Sequence, residues 1–436
     1  MSTSGVSKVQ AKTFSDTSNA ALLSAAVNEV GLGGLPTITK QNAYSVANFI
    51  FGPGNSYPQN VKADLILALV KRIAMVKSTN IPYQNKLAPL YAGMLNYGDT
   101  VEEYFVDVAD VKNFDPIAAQ ATVYDITPDK TYCALHSIND KKTASVTIPL
   151  NEIPRYFLNE GGVYDFISNQ VMSMFNAKED HEFKQALNLI ADRLKNGYVG
   201  FVNIPDLTLQ NTEDIMSTIL EYSQNMTELN KEYNFAGVSS HAPLDNQVLL
   251  MTNKFYGKYK VAIRASLFHN DEASFNERTF TFKEIPGFPN VPVILASKDW
   301  CQMYFAVNDI LYNINAEGAY CKYTLHFWDI ISASPFVPVI AFTTDEVGTI
   351  STVTVTPASP TIARGGSQAF TATVAATGNA NKGVTWSVSG ATSKYTRISF
   401  DGVLLVGEDE SGTLVVKATS VQDTSKNGTT TTITLS

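Results

Sequence analysis

Apolar residues recur along this chain at two periods, and the dominant period changes near Asp345. In the first part the spacing is helical. Val61, Leu65, Leu69, Ile73 and Val76 lie three to four residues apart, which predicts a helix over 61–76 with Asn60 as its cap; another is predicted over 41–51. The longest helical run covers 159–196. Val163, Ile167, Val171 and Met174 carry one stretch of its face, Phe183, Leu187, Ile190 and Leu194 the next, and Asn196-Gly197 ends it. At 1.5 Å per residue it would reach about 50 Å, a spine rather than a site. Beyond it, helices are predicted at 212–231, capped by Asn211 or Thr212, and at 254–267, capped by Asn253. They alternate with strands at 247–251, 291–296, 302–305 and 319–329, giving an α+β domain over 200–342.

Residues 80–150 break the helical rhythm. Pro82, Pro89, Pro116, Pro128 and Pro149 interrupt it, and Val101-Glu-Glu-Tyr-Phe-Val-Asp-Val alternates in part. The pattern predicts a long extended hairpin over 86–125. A ribbon of that length has too few neighbours in its own subunit to bury an apolar face, so it is expected to lie on another protein. Residues 1–40 read as a polar N-terminal arm.

After Asp345 the period drops to two. Val353 and Val355 share a face, as do Phe370, Ala372 and Val374, and Val384, Trp386 and Val388, with Gly, Pro and Asn turns between them. Short strands at this spacing predict a β-sandwich over 350–436 whose core includes Phe370, Val374, Val384, Trp386 and Val388. Composition changes at the same point: every His and Cys precedes it, and the last Met is Met303. Two domains with separate cores are expected, joined by a short linker, 343–349, of limited mobility.

Charge and chemistry narrow the function. A net charge of -9 argues against gripping nucleic acid, although an acidic wall can enclose it. The 3 cysteines, Cys133, Cys301 and Cys321, form no paired framework and read as buried free thiols of a reducing compartment. The polar first residues and the lack of ~20 consecutive apolar residues point to a protein made in the cytosol with no membrane partner. Glu179-Asp-His-Glu is the densest polar knot, but consecutive positions point in different directions on a helix, so it reads as a solvated face. Cys133 and His136 are close only in sequence. Neither a GxxxxGK[ST] loop nor GxSxG is present. No enzyme, metal or cofactor is expected.

Two stretches resemble known families. In the tail, Val353-Thr-Val-Thr-Pro, Gly366-Ser-Gln-Ala-Phe-Thr-Ala-Thr-Val, Val384-Thr-Trp-Ser-Val, Asp401-Gly-Val-Leu and Leu414-Val-Val-Lys-Ala-Thr follow the order of bacterial Ig-like group 2 domains. In the body, Tyr97-Gly-Asp-Thr-Val-Glu-Glu-Tyr-Phe-Val-Asp-Val, Ser297-Lys-Asp-Trp, the run from Gly318 to Phe336, and Val339-Ile-Ala-Phe resemble the major capsid proteins of phi-twenty-nine-like podophages, where an Ig-like domain follows directly. The resemblance implies the tailed-phage capsid (Johnson) fold over 41–344: extended loop 86–125, spine helix 159–196 and axial domain 200–342. Tyr97, Gly98, Asp99, Thr100, Glu102, Glu103 and Tyr104 would then contact the neighbouring subunit, and Lys298, Asp299, Trp300 and Trp328 would be structural residues of the axial domain. It further implies a homo-oligomer of hexamers and pentamers, built with a separate scaffolding protein and a portal connector. That shell would be an icosahedral or prolate virion head, assembled in the host cytoplasm and enclosing double-stranded DNA without reading its sequence. The Ig-like domain would point outward and be dispensable for shell closure. The alternative is a phage tail or surface-binding protein that holds host-wall carbohydrate with that domain.

Overall fold

The computed structural model describes residues 19–52, 57–75, 83–95, 99–109, 111, 130–149, 153–157, 162–208, 210–265, 279–315 and 317–436. The chain divides into two compact units. The first is built from 1–85, 140–182 and 305–329, the second from 86–139, 183–304 and 330–436.

Three helices open the first unit, Asn19–Val30, Ala43–Phe51 and Gln59–Met75. Leu23, Ala26, Val46, Ile50, Leu65 and Leu69 recur at helical spacing and are buried together with Ile167, Val171 and Met174 of the long helix Gly162–Lys195. Tyr320–Asp329 pairs antiparallel with Asp140–Pro149 and adds Tyr323, Leu325 and Phe327 to the same core. The helix Asn19–Val30 falls inside the stretch expected to be a polar arm. Its four alanines, one serine and two asparagines dilute the apolar signal, yet Leu22, Leu23, Ala26 and Val27 give it a buried face. Asn60 lies within its helix, which begins one residue earlier at Gln59, and so is not its cap.

The polar knot on the long helix is not a solvated face. Lys178 and Glu182 are 7% and 2% exposed and form an ion pair of 3.1 Å. Lys178 also sits 4.6 Å above the Phe305 ring. His181 Nε2 bonds Asp140 at 2.6 Å. Asp329, the ladder partner of Asp140, is wholly buried, and neither of its carboxyl oxygens has a hydrogen-bond partner among the described residues. Burial first, and then the charges of Glu182 and Asp140, push the Asp329 carboxyl up to about 7, against the pull of Lys178.

A five-stranded sheet forms the heart of the second unit, in the order Gly200–Asn203, Val339–Thr343, Val293–Ser297, Gln247–Thr252, Thr279–Phe282. The outer pairings are parallel and the two inner ones antiparallel. The three inner strands are buried along their whole length, which explains their unbroken apolar runs. Ile215 and Ile219 of helix Thr212–Asn225 and Phe255 of helix Asn253–Ala265 cover one face. The first of these helices stops short of the predicted 231, where Met226 is buried and its carbonyl accepts from Ala242 N at 2.7 Å. The second is capped by Thr252, whose Oγ1 accepts from Phe255 N at 3.4 Å, rather than by Asn253.

The α+β domain predicted over 200–342 is not contiguous. Strand Cys301–Asn315 is far longer than the predicted 302–305, strand Tyr320–Ala333 runs four residues past the predicted 319–329, and the stretch 305–329 belongs to the first unit. Trp328 goes with it, half-buried under the Lys141 ammonium at 4.8 Å, and is therefore not an axial-domain residue.

Residues 350–436 form an all-β module within the second unit. Ile350–Thr356 pairs with Thr371–Ala376, and Val384–Ser389 with Val415–Ser420, both antiparallel. Ser367–Ala369 and Arg397–Ile398 flank Val403–Leu405. Phe370, Leu404, Leu414 and Val416 form its centre, with Val374, Val384, Trp386 and Val388 half-buried against it. The linker is held: Asn203 Nδ2 donates to Asp345 O at 2.6 Å, and Gly348 N to Asn379 O at 2.7 Å.

Candidate assembly interface

The hairpin consists of Thr100–Val106 and Thr131–Ser137, paired antiparallel with Val101 opposite His136 and Phe105 opposite Tyr132. Its return strand lies beyond residue 125, the limit read from the sequence. The strand Tyr132-Cys-Ala-Leu-His has apolar residues on both faces and so shows no alternation to read. The stretch 112–129, and with it Tyr97 and Gly98 before the first strand, lies outside the described residues.

Side chains alternate across the ribbon. One face carries Val101, Glu103, Phe105, Tyr132, Ala134 and His136, all buried or half-buried. Ser334 Oγ donates to Glu103 Oε1 at 2.6 Å, and His136 bonds Glu103 at 3.0 Å and Ser332 Oγ at 2.8 Å. The Ser332–His136–Glu103 string has the order of a nucleophile, base and carboxylate. Together with the Ser334 bond, the string joins the hairpin to the segment Ser332–Ser334 of the body. Phe105 stacks on Phe336 at 5.5 Å. Asp107 Oδ1 accepts from Ser239 N at 3.1 Å and from Val108 N at 2.8 Å; burial opposes its ionisation, but these bonds and Lys231 hold the carboxyl below its ordinary range.

The opposite face is open and mixes apolar with polar side chains, Thr131 and Ser137 among the latter. Tyr104, Val106 and Leu135 are 64%, 66% and 67% exposed, and Cys133, expected to be a buried thiol, is exposed between them. Thr100 and Glu102 share this face, with Asp99 just before the strand. Tyr104 OH donates to Glu102 at 2.5 Å, the main reason its phenol is pushed up to about 12. Glu103 points the other way and is a tether of the hairpin base, although the sequence grouped it with Glu102.

Near the hairpin base, Ser297 Oγ accepts from Asp299 N at 3.3 Å and starts the short helix Lys298–Trp300. Asn246 Nδ2 donates to Asp299 Oδ2 at 2.5 Å, Lys298 is exposed, and Trp300 is buried. Trp300, His136, Arg193, Tyr198 and Phe400 are among the residues around a cavity of 390 Å³. Sequence reasoning missed Tyr132, Phe336 and Phe400, whose rings meet only in the folded chain. Among the described residues no three His, Cys, Asp or Glu side chains are grouped to hold a metal, and no helix is long and apolar enough to cross a membrane.

Most of the chain is similar to known proteins. A family model described as Phi29-like phage major capsid protein matches residues 36–343. The major capsid protein of Bacillus phage B103 is 29% identical over 386 residues, covering 87% of this chain and 84% of that protein. That of Bacillus phage PZA is 26% identical over 392 residues, covering 88% and 85%. Among solved structures, a chain in the capsid of Staphylococcus phage Andhra matches 62% of this chain and 88% of its own length at 12% identity, with a TM-score of 0.50. That likeness concerns the fold.

Proposed function

Because this chain belongs to the Phi29-like phage major capsid protein family, we propose that its hairpin, Thr100–Ser137, is the extended loop by which one subunit lies on the next. The protein is a phage major capsid protein, a structural component of the virion that assembles into capsid shells. The shell is built of hexamers and pentamers, icosahedral or prolate, in the host cytoplasm, with a separate scaffolding protein and a portal. It encloses double-stranded DNA without reading its sequence. The body takes the Johnson fold, and the C-terminal module is a bacterial Ig-like group 2 domain. Its Trp386 and Phe370 packing, ring centroids 6.4 Å apart, supports that last reading.

The observation that carries the assembly reading is the two-sided hairpin. One face is tethered to its own body, and the other presents Tyr104, Val106 and Leu135 to solvent. Exposed aromatic and branched side chains on a rigid ribbon gain most by burial against a partner. Each contact can be modest because a closed shell repeats it many times. The test is Leu135→Asp with Val106→Asp, expressed beside the phage's scaffolding protein and imaged by negative stain. Shell yield should drop at least tenfold while circular dichroism stays unchanged. Undiminished shells would remove the hairpin from the interface.

A further inference from the structure

The C-terminal module touches the hairpin itself. Its turn from Ser399 to Val403 is closed by Gly402 N on Ser399 O at 3.1 Å and Ser399 N on Val403 O at 2.9 Å. Gly402 takes φ +86, and a side chain there would meet Phe370 O at 2.6 Å and the Trp386 ring at 2.9 Å. The turn is thus pressed onto the module's own core and presents Phe400 in a fixed direction. Phe400 meets Phe336 of the body at 5.0 Å and 69°, and Tyr132 of the hairpin at 6.0 Å and 86°, both edge-to-face. Phe105 stacks on the same Phe336. Three separate parts of the chain therefore share one aromatic cluster.

We propose that the C-terminal module is a brace for the hairpin: Phe400 holds Tyr132 against Phe336 and fixes the direction in which the hairpin leaves the body. Polar bonds at Glu103 and His136 join one face of the hairpin to the segment Ser332–Ser334, and Asp107 bonds Ser239 N. Those bonds do not reach the Tyr132 ring, which packs on Phe336 and is closed from the other side by Phe400. The module is also anchored independently, Lys382 N donating to Gly197 O at 2.7 Å, so the brace has a fixed footing. This assigns the module a part in presenting the interface and replaces the expectation of a dispensable outward appendage. The coupling is reciprocal: whatever holds the hairpin also steadies the 399–403 turn.

Hydrogen exchange on the full-length, unassembled chain tests it. Phe400→Ala should raise exchange in Thr100–Val106 and Thr131–Ser137 about tenfold, leaving Val384–Ser389 and Val415–Ser420 protected. Phe400→Leu should restore part of the protection. Hairpin exchange within twofold of wild type, with the module's strands intact, would overturn the proposal. Should Phe400→Ala unfold the module, Tyr132→Ala decides from the other side. It leaves the module's core whole and should speed exchange across 399–403; no change there would equally overturn it.

Discussion

Two carboxylates are almost equally hidden from water, and the protein treats them in opposite ways. Glu410, in the C-terminal module, is 1% exposed; Asp329, in the first unit, is 0% exposed. Glu410 accepts from six donors: the backbone N–H groups of Thr392, Ser393, Ser411 and Gly412, and the hydroxyls of Thr392 and Thr396. Burial works against its ionisation, but those hydrogen bonds win and hold the carboxyl far below its ordinary range. Asp329 accepts from none among the described residues, and burial keeps it protonated up to about 7. Lack of exposure alone therefore does not set the charge: Asp329 lies deeper in its core, and Glu410 has donors that Asp329 lacks. Glu410 stands among loops whose N–H groups have no ladder to join. Asp329 stands on a paired strand whose N–H groups are already spent.

The largest effect should come from removing the better-solvated carboxylate. Glu410→Ala would strand several buried donors at once, at a cost of roughly 3–5 kcal/mol. Differential scanning calorimetry should show the module melting well before the rest of the chain. The pH behaviour follows from the lowered carboxyl. Its stabilisation is complete above the unfolded value of about 4.5 and is lost as pH falls through the folded one. Exchange protection of Val415–Ser420 in the native protein should thus fade on acidification below about 4 and hardly change from pH 5 to 8.

Asp329 reverses the sign. A proton bound in the folded state and released in the unfolded one makes stability fall as pH rises from about 4 to about 7, then level off. The groups that face it are Glu182, Lys178 and Asp140, the last held by His181 and Lys142. Asp329→Asn should match the wild type near pH 5 and exceed it by about 2 kcal/mol at pH 8. Protection of Tyr320–Ala333 against hydrogen exchange is the measurement. An Asn variant less stable at pH 8 would mean that the carboxylate has a partner there.

Neither environment was legible in the sequence, and the reasons differ. Helix faces at Leu65 and Leu69, at Ile167 and Val171, and at Leu187 and Ile190 could be read because one period repeats over many residues. The module's strands could be read for the same reason. Glu182 reads as solvated because its neighbours in sequence are polar, whereas its neighbours in space are Lys178 and strand Tyr320–Ala333. Half of the hairpin was visible in Val101 to Val108; its return strand carries apolar side chains on both sides and hides its period. Phe400 lies in a short turn with no period at all, so only the folded chain reveals what it touches.

The smallest and sharpest comparison removes one donor and leaves the carboxylate. Thr396 Oγ1 donates to Glu410 and also accepts from Gly407 N at 3.0 Å, so it links the loops on either side. Thr396→Val keeps the shape and removes both bonds. Five donors still solvate Glu410, so the charge should persist, with a loss of about 1–2 kcal/mol rather than the cost of Glu410→Ala. The acid limb of the module's exchange profile should move upward in pH, because one of the bonds that lowered the carboxyl is gone. An unchanged acid limb together with lowered stability would show that Thr396 matters through Gly407 alone, and that Glu410 owes its charge to the backbone donors.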